Sequence, residues 1–279
     1  MTIWYAFCNW IPLEILHWRF MQNALLAILV MAPLFGLMST MVVSGKMSFF
    51  SDALGHSAFT GIAIGAICGF SAPTLFAVLF AVVFSLLFSF VRHKSSHSAD
   101  TLIGVFSSTA VALGIFIATI GGNSFTKYNK YLIGDILSVT PGEIGLLAIV
   151  LGCVLVFWAL CSNKLILSSV HPQLASSRGV STFFVQTAFT TVVAVVVTLA
   201  ISWVGLLILN SLLILPGASS RNIAKNMKQY HFYSVAFALF ASVGGLCMSY
   251  FLGASTGASI CLVLAVIFIA TFILRKGKR

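Results

Sequence analysis

Long apolar segments follow one another along almost the whole chain, with short polar joins between them. Nine such segments can be distinguished, at residues 20–43, 48–70, 72–91, 99–120, 142–162, 182–202, 204–220, 231–252 and 255–274. Each is close to the ~20 residues that a helix needs to cross a bilayer, whereas barrel strands would alternate over segments of about 10 residues. The pattern therefore predicts an all-α, polytopic bundle of transmembrane helices. The seventh segment is short and contains Asn210 and Pro216, so we expect eight to nine spans.

The composition agrees with this pattern. Hydrophobic residues make up 60% of the 279 residues and charged residues only 7%, whereas soluble domains are about 45–50% apolar and about 25% charged. No polar stretch is long enough to form a separate soluble domain. We therefore expect residues 1–279 to form a single transmembrane domain.

The basic residues predict how the helices are oriented. Most of them follow the first, third, fifth, seventh and ninth segments, at Lys46, Arg92, Lys94, Lys164, Arg178, Arg221, Lys225, Lys228, Arg275, Lys276, Lys278 and Arg279. In the loops on the opposite side only Lys127 and Lys130 are basic, and Asp135 partly offsets them. By the positive-inside rule, the N-terminus lies outside and the C-terminus is cytoplasmic. Loops close to anionic lipid account for the net charge of +10, so no nucleic-acid partner is needed.

The first nineteen residues differ from the rest. Aromatic and charged side chains alternate there, at Trp4, Trp10, Glu14, His17, Trp18 and Arg19. Such a mixture is typical of a segment that lies at the lipid headgroups. We expect residues 1–19 to be interfacial.

An acid and an imidazole four residues apart, Asp52 and His56, begin the second segment. Their spacing places both on one helix face, where both could reach one ion. A charge at the bilayer centre costs about 2.5–3.5 kcal/mol or more, so such residues usually have a function. Carboxylate oxygen and imidazole nitrogen suit Zn²⁺, Mn²⁺ or Fe²⁺. Two alternatives stay open: Asp52 caps the helix while His56 bonds a nearby backbone group, or the pair relays protons.

The same segment carries small residues on much of its opposite face. These are Ser57, Gly61, Gly65 and Gly69. Small residues at every fourth position let another helix approach closely. We therefore expect this face to be a helix-packing surface.

Three other polar residues are candidates for the transport pathway. Asn210 lies within an apolar segment, although a hydrogen bond between helices would explain it equally well. Asp100 begins the fourth segment and is better explained as a helix cap. Asp135 lies in an outer loop, where it could attract a cation, bind a partner or belong to a turn.

The common enzymatic motifs are missing from the sequence. It contains no GxxxxGK[ST], no HExxH, no GxGxxG and no nucleophile elbow. We therefore expect no enzymatic activity and no permanently bound cofactor. If transport uses ATP, another chain must hydrolyse it.

Several separated motifs resemble those of one transporter family. They are FMQNALLAI at 20–28, GKMSFFSDALGHSAFTGIAIG at 45–65, ADTLIGVFSS at 99–108, YLIGDILSVTP at 131–141 and LLILNSLLILPGASSR at 206–221. In order and spacing they resemble the permease subunits of bacterial ATP-binding-cassette importers for zinc, manganese and iron. Family members usually have GDxLxHS where this chain has SDALGHS, so the aspartate and histidine match and the flanking residues differ.

The resemblance implies a transport complex. Two permeases, either a pair of this chain or this chain with a paralogue, would form the pathway in the bacterial cytoplasmic (inner) membrane. A cytoplasmic ATPase dimer would drive transport, and an extracytoplasmic binding protein would deliver Zn²⁺ or Mn²⁺. Asp52 and His56 would match the family's metal-coordinating positions.

The resemblance also implies a cytoplasmic coupling helix that docks into the ATPase, here at residues 169–180. The sequence favours a short helix there, because Pro172 after His171 suits a helix start and Gly179 suits its end. Leu174 and Ala175 would offer a small apolar contact, next to Arg178. An ordinary solvated loop is the alternative.

The leading hypothesis is thus the permease subunit of an ATP-driven metal importer that works by alternating access. The alternative is a proton-coupled secondary transporter in which Asp52 and His56 relay protons. A membrane scaffold is disfavoured because it would need no polar face opposite a glycine stripe.

Overall fold

The protein is described here from a computed structural model, which covers residues 4–6, 8, 14–68, 73–120 and 135–276. Within these ranges the chain forms α-helices and short 3₁₀ turns, and no strand. The helices are α1 (Arg19–Ser44), α2 (Phe50–Ile67), α3 (Pro73–Lys94), α4 (Ala99–Ile120), α5 (Pro141–Val170), α6 (Pro172–Ser177), α7 (Thr182–Val204), α8 (Leu206–Ile223), α9 (Met227–Leu252) and α10 (Thr256–Lys276). The all-α prediction is confirmed.

The helices group into two compact units that interleave along the sequence. One unit comprises Met1–Thr40, Asp135–Leu155 and Trp203–Arg279. The other comprises Met41–Gly134 and Val156–Ser202. The second unit contains α2 to α4, α6 and nearly all of α7, and therefore both Asp52 and His56.

Aromatic packing holds α2, α3 and α4 together in this second unit. The ring centroids of Phe50 and Phe88 are 4.9 Å apart. Phe106 of α4 meets the rings of Phe84 and Phe88 edge-on, at 5.5 and 5.7 Å. Such pairs contribute about 0.5–1.5 kcal/mol beyond the area that they bury. The start of α2 is therefore fixed against both of its neighbours.

α2 runs antiparallel beside α3 over its whole length. Just before α2 begins, the carbonyl of Gly45 accepts a hydrogen bond of 3.0 Å from Arg92, near the end of α3. Farther along, Gly65 packs against Phe76, near the beginning of α3. The two helices thus cover the same depth in opposite directions.

Eight of the described helices are long and apolar enough to cross a membrane, and α2 is not among them. It has 18 residues, but Asp52, His56 and several small residues make it less apolar. Its packing nevertheless places it alongside α3, which is one of the eight. The candidate ligands therefore lie on the long helix that falls outside these eight.

In the first unit, helices contact one another through small residues. Gly36 of α1 lies against Val235 of α9, and its carbonyl accepts a bond of 2.6 Å from the Ser234 hydroxyl. Gly245 of α9 packs directly on Ile260 of α10. Close approach of this kind is typical of helix contacts in membranes, where hydrophobic burial adds little.

α8 is short but continuous from Leu206 to Ile223. Pro216 lies inside it and cannot donate a backbone hydrogen bond. Ser39 of α1 supplies partners at this point: its hydroxyl accepts from Gly217 N at 2.8 Å and lies 3.5 Å from Ile214 O. Such side chains let a proline remain inside a membrane helix.

α5 and α9 extend farthest beyond the apolar segments that predict them. α5 continues to Val170, because its last turns contain no glycine or proline before Pro172. α9 begins at Met227 instead of residue 231, and the Asn226 side chain caps it by accepting from Gln229 N at 2.9 Å. In both cases local helix signals, and not hydropathy, determine where the helix begins and ends.

Candidate metal site

Asp52 and His56 lie on the first two turns of α2, with their side chains close together. The distance between His56 Nε2 and Asp52 Oδ2 is 3.7 Å. The His56 side chain is 40% exposed and the Asp52 side chain is 46% exposed. The sequence spacing therefore produces a pair of potential ligands that is open to an incoming ion.

This separation suits joint coordination of one ion. Zinc lies about 2.0–2.2 Å from carboxylate oxygen and about 2.0–2.1 Å from imidazole nitrogen, which puts two tetrahedral ligands roughly 3.4 Å apart. The observed 3.7 Å between Nε2 and Oδ2 is slightly wider. A small side-chain rotation would bring both atoms to bonding distance.

Asp52 is the third residue of α2 and does not precede the helix. It therefore does not occupy the N-cap position that the capping alternative assigns to it. A carboxylate in the first turn still interacts favourably with the helix dipole.

The same face of α2 becomes apolar and buried beyond His56. Phe59 and Ala63 are only 3% and 0% exposed. A side chain at Gly114 of α4 would collide with Phe59, and the Thr60 hydroxyl donates to Ala110 O at 2.6 Å. α4 thus covers the part of this face that follows His56. The Asp52–His56 pair, at the N-terminal end of α2, stays partly exposed.

The small residues on the other face of α2 contact α3. A Cβ atom on Gly61 would lie 2.6 Å from the Ala77 Cα, and one on Gly65 would lie 3.0 Å from Phe76. Ser57 is fully buried, and its hydroxyl donates to Leu54 O. Gly69 lies outside the described residues. The packed face therefore holds α2 in a position from which its opposite face presents Asp52 and His56.

One chain supplies only these two ligands as far as the structure describes it. The described residues contain no group of three or more His, Cys, Asp or Glu side chains that could hold a metal. Structural zinc sites usually have four ligands. A bound ion would need water or another chain to complete its coordination.

Two of the three pathway candidates, Asp100 and Asp135, have local structural roles or positions. Asp100 is exposed in the first turn of α4, and the hydroxyl of Ser98, rather than Asp100, caps that helix by accepting from Thr101 N at 3.2 Å. Asp135 caps a 3₁₀ turn by accepting from Leu137 N at 3.0 Å. Both are accounted for by local structure.

Asn210 is half-buried in the middle of α8. Its Oδ1 atom is completely shielded from solvent. It belongs to the first compact unit, whereas Asp52 and His56 belong to the second. Its burial fits the interhelical role that the sequence favours.

The predicted coupling segment contains one short helix, α6, from Pro172 to Ser177. Pro172 occupies its first turn after His171, Arg178 ends it, and Gly179 follows with φ of +72°. These are the start and stop signals that the sequence shows.

Of the two apolar residues expected to contact the ATPase, the structure exposes only one. Leu174 is 44% exposed, whereas Ala175 is fully buried. Ala175 therefore cannot offer a contact to another chain. Of the two residues, only Leu174 can do so.

The N-terminal segment is described only in part, and Trp10 lies outside the described residues. The Trp4 indole donates to Gln22 O at 3.0 Å, and the Tyr5 hydroxyl donates to Asn23 Oδ1 at 2.8 Å. Arg19 lies 5.6 Å from the centre of the Tyr5 ring. These contacts hold part of the segment against the beginning of α1.

The family of the chain follows from a comparison with family models. Residues 17–275 match the model described as the ABC 3 transport family. The chain belongs to the ABC 3 transport family. The match leaves out residues 1–16 and 276–279, so nearly the whole chain carries the family pattern.

Named relatives in this family include zinc and manganese proteins. The chain is 27% identical to the high-affinity zinc uptake system membrane protein ZnuB of Haemophilus influenzae, over 91% of this chain and 97% of that protein. It is 28% identical to the manganese import system permease protein ScaB of Streptococcus gordonii, over 94% of this chain and 93% of that protein. The resemblance noted from the sequence motifs is thereby confirmed.

Solved structures agree with the fold. PsaBC from Streptococcus pneumoniae, solved in complex with Fab, superposes with a TM-score of 0.78 at 26% identity, over 98% of this chain and 95% of that one. An inward-facing metal-chelate-type ABC transporter gives a TM-score of 0.69 at 16% identity, over 100% of this chain and 97% of that one. The second likeness supports the fold alone.

Proposed function

We propose that this chain is the permease subunit of an ATP-driven importer of divalent metal ions, with Zn²⁺ or Mn²⁺ as the transported ion. The observation that carries the proposal is the Asp52–His56 pair, 3.7 Å apart on one face of α2. Membership of the ABC 3 transport family and the zinc and manganese relatives support the same class of substrate. The chain has no enzymatic role, because a separate ATPase chain hydrolyses the ATP.

The ion is held by few ligands in this proposal. Asp52 and His56 of two permease copies, or of one copy and a paralogue, bind it together while it is partly dehydrated. Weak coordination by few groups is useful, because a transported ion must also leave. An extracytoplasmic binding protein delivers the ion, and the complex lies in the bacterial cytoplasmic membrane.

In this proposal the segment 169–180 transmits the conformational change of the ATPase dimer to the permease. α6 presents Leu174 to the cytoplasmic ATPase dimer, and α6 belongs to the same compact unit as α2. Closure of the ATPase dimer then changes the side to which the pathway opens.

A proton-coupled secondary transporter is the second candidate. The same Asp–His pair could relay protons. However, a relay needs further titratable groups, and among the described residues no third His, Cys, Asp or Glu forms a cluster with this pair. Family membership also favours the ATP-driven importer.

Uptake in cells tests the role of the pair. Cells that lack their own importers would express the chain with its ATPase and binding protein, and would take up radioactive Zn²⁺ and Mn²⁺. Asp52→Ala and His56→Ala should each abolish uptake, because either change leaves one ligand. His97→Ala is the matched control, since His97 is an exposed histidine on a loop. Full uptake by both variants, with normal amounts of protein in the membrane, would show that Asp52 and His56 do not form the metal site.

A further inference from the structure

Arg92, near the end of α3, is half-buried and has few partners. Its Nη2 donates to Gly45 O at 3.0 Å, and its Nη1 lies 2.7 Å from the sulfur of Met47. A guanidinium carries five N–H donors, so most are left over. Within the described residues Arg92 forms no ion pair with any carboxylate. A cation that is withdrawn from water in this way favours a nearby anion.

A line of polar side chains leads along α3 to Arg92. Ser85, Ser89 and Arg92 lie on one face of this otherwise apolar helix. Ser85 is 3.2 Å from the Thr191 hydroxyl of α7, and Ser89 is 2.8 Å from the Thr190 hydroxyl. These hydroxyl pairs join α3 to α7.

A cavity of about 140 Å³ lies at the end of this line, between α3 and α7. It is lined by Ser89, Arg92, His93, Phe183, Gln186, Thr187 and Thr190. One water needs only about 10–15 Å³ in such a cavity, so this one has room for a tetrahedral anion. Its described lining includes no aspartate or glutamate.

The hydroxyl of Thr187 is a second polar group in this cavity that could bind an anion. Its Oγ1 is shielded from solvent and has no hydrogen-bond partner among the described residues. A buried hydroxyl without a partner is costly. An oxyanion in the cavity could accept from Thr187 and from the remaining donors of Arg92.

We propose that this cavity binds a phosphate group, and that the phosphate belongs to an anionic lipid headgroup. The lipid is favoured because the cavity lies where α3 ends and α7 begins, and the ends of membrane-crossing helices lie near the headgroups. Basic pockets between membrane helices commonly hold anionic headgroups. Arginine also matches phosphate geometry through its planar fork of donors.

The bound phosphate would also steady the beginning of α2. Arg92 holds the turn between α1 and α2 through Gly45, and Lys46 in that turn has φ of 54°. A phosphate that fixes the guanidinium therefore fixes this turn, six residues before Asp52. This role is independent of which ion is transported.

Native mass spectrometry of the full-length chain, delipidated in detergent, tests the proposal. Phosphatidylglycerol would be titrated against phosphatidylcholine, which carries phosphate but no net charge. We expect one phosphatidylglycerol to bind, and Arg92→Gln to weaken binding at least about tenfold. Lys94→Gln is the control, because it removes an equal charge two residues away, from a lysine that lies over the Phe90 ring; its binding should stay within about twofold.

Two further arms separate the possible outcomes. Thr187→Val keeps Arg92 and its bond to Gly45, and should weaken binding several-fold even if Arg92→Gln fails to fold. Inorganic phosphate is added without lipid, with thermal unfolding as the readout; stabilisation that needs Arg92 and Thr187, without lipid binding, would support the site with free phosphate as its ligand. Binding of neither probe by the unmodified chain, or unweakened binding by Thr187→Val, would overturn the proposal.

Discussion

At the scale of single residues, the candidate site depends on two side chains whose relation is local. The i, i+4 spacing of Asp52 and His56 predicts a shared helix face, and the structure places their polar atoms 3.7 Å apart. Nothing distant in the sequence has to be placed correctly for this pair to form. That is why the sequence alone could predict it.

The chemistry of these two ligands should set the preference among metals. Asp52→Cys replaces a hard carboxylate by a soft thiolate, which favours zinc over manganese. We expect the ratio of bound Zn²⁺ to bound Mn²⁺ in the purified complex to rise several-fold. Equilibrium binding of the two ions measures it. An unchanged ratio in a folded, metal-binding Asp52→Cys protein would mean that residue 52 is not a ligand.

Other residue roles could not be predicted, because they depend on the tertiary structure. From the sequence, Arg92 is only one of many basic residues in a loop. Its bond to Gly45 and its cavity appear only once α1, α3 and α7 are packed. The spacing of Ser85, Ser89 and Arg92 was the available signal, since three polar residues on one face of an apolar helix are unusual.

At the scale of helices, the face of α2 that contacts α3 leaves no room for a side chain. Gly61→Ala would place a Cβ 2.6 Å from the Ala77 Cα, so one of the backbones must move. We expect a loss of about 1–3 kcal/mol of stability. Thermal unfolding of the purified chain in detergent would measure it.

Gly104→Ala is the matched control for this change. Gly104 lies within α4, and nothing lies within 4 Å of an added Cβ. Alanine is the better helix former, so this variant should be as stable as the unmodified chain or slightly more stable. Equal melting temperatures for Gly61→Ala and Gly104→Ala would contradict the close packing of α2 on α3.

The exposed leucine of α6 should determine how well the ATPase binds. Leu174→Ala shortens this exposed side chain and leaves the buried Ala175 unchanged. We expect about tenfold weaker recovery of the ATPase with the permease, and a parallel loss of uptake. Leu174→Met, which keeps an apolar side chain, should retain both. Normal ATPase binding by Leu174→Ala would assign the contact to another segment.

Hydropathy predicts most helices here but not their ends or their roles. It suggested that the segment with Pro216 would be irregular, yet Ser39 bonds to Gly217 N and keeps α8 continuous. It gave no warning about α2, which fails to be apolar enough because of the residues proposed to carry function. Bonds between helices, which a single segment cannot reveal, explain the first difference, and the composition of α2 itself explains the second.

At the scale of the whole molecule, the number of crossings fixes where the termini lie. Eight crossings would put both termini on one side, and nine would put them on opposite sides. Because α2 runs antiparallel beside α3 over its length, we expect nine. Fluorescent and phosphatase reporters fused to each terminus should report the C-terminus as cytoplasmic and the N-terminus as external. Identical reports from both termini would mean that α2 does not cross.

The most direct measurement is uptake of Zn²⁺ and Mn²⁺ by sealed vesicles that contain this chain, its ATPase and its binding protein. ATP and a proton gradient would be supplied separately, with unmodified chain and with His56→Ala. The account predicts accumulation of at least one metal that requires ATP, ignores the proton gradient and disappears in His56→Ala. Accumulation that follows the proton gradient without ATP would contradict it, and would make Asp52 and His56 a path for protons.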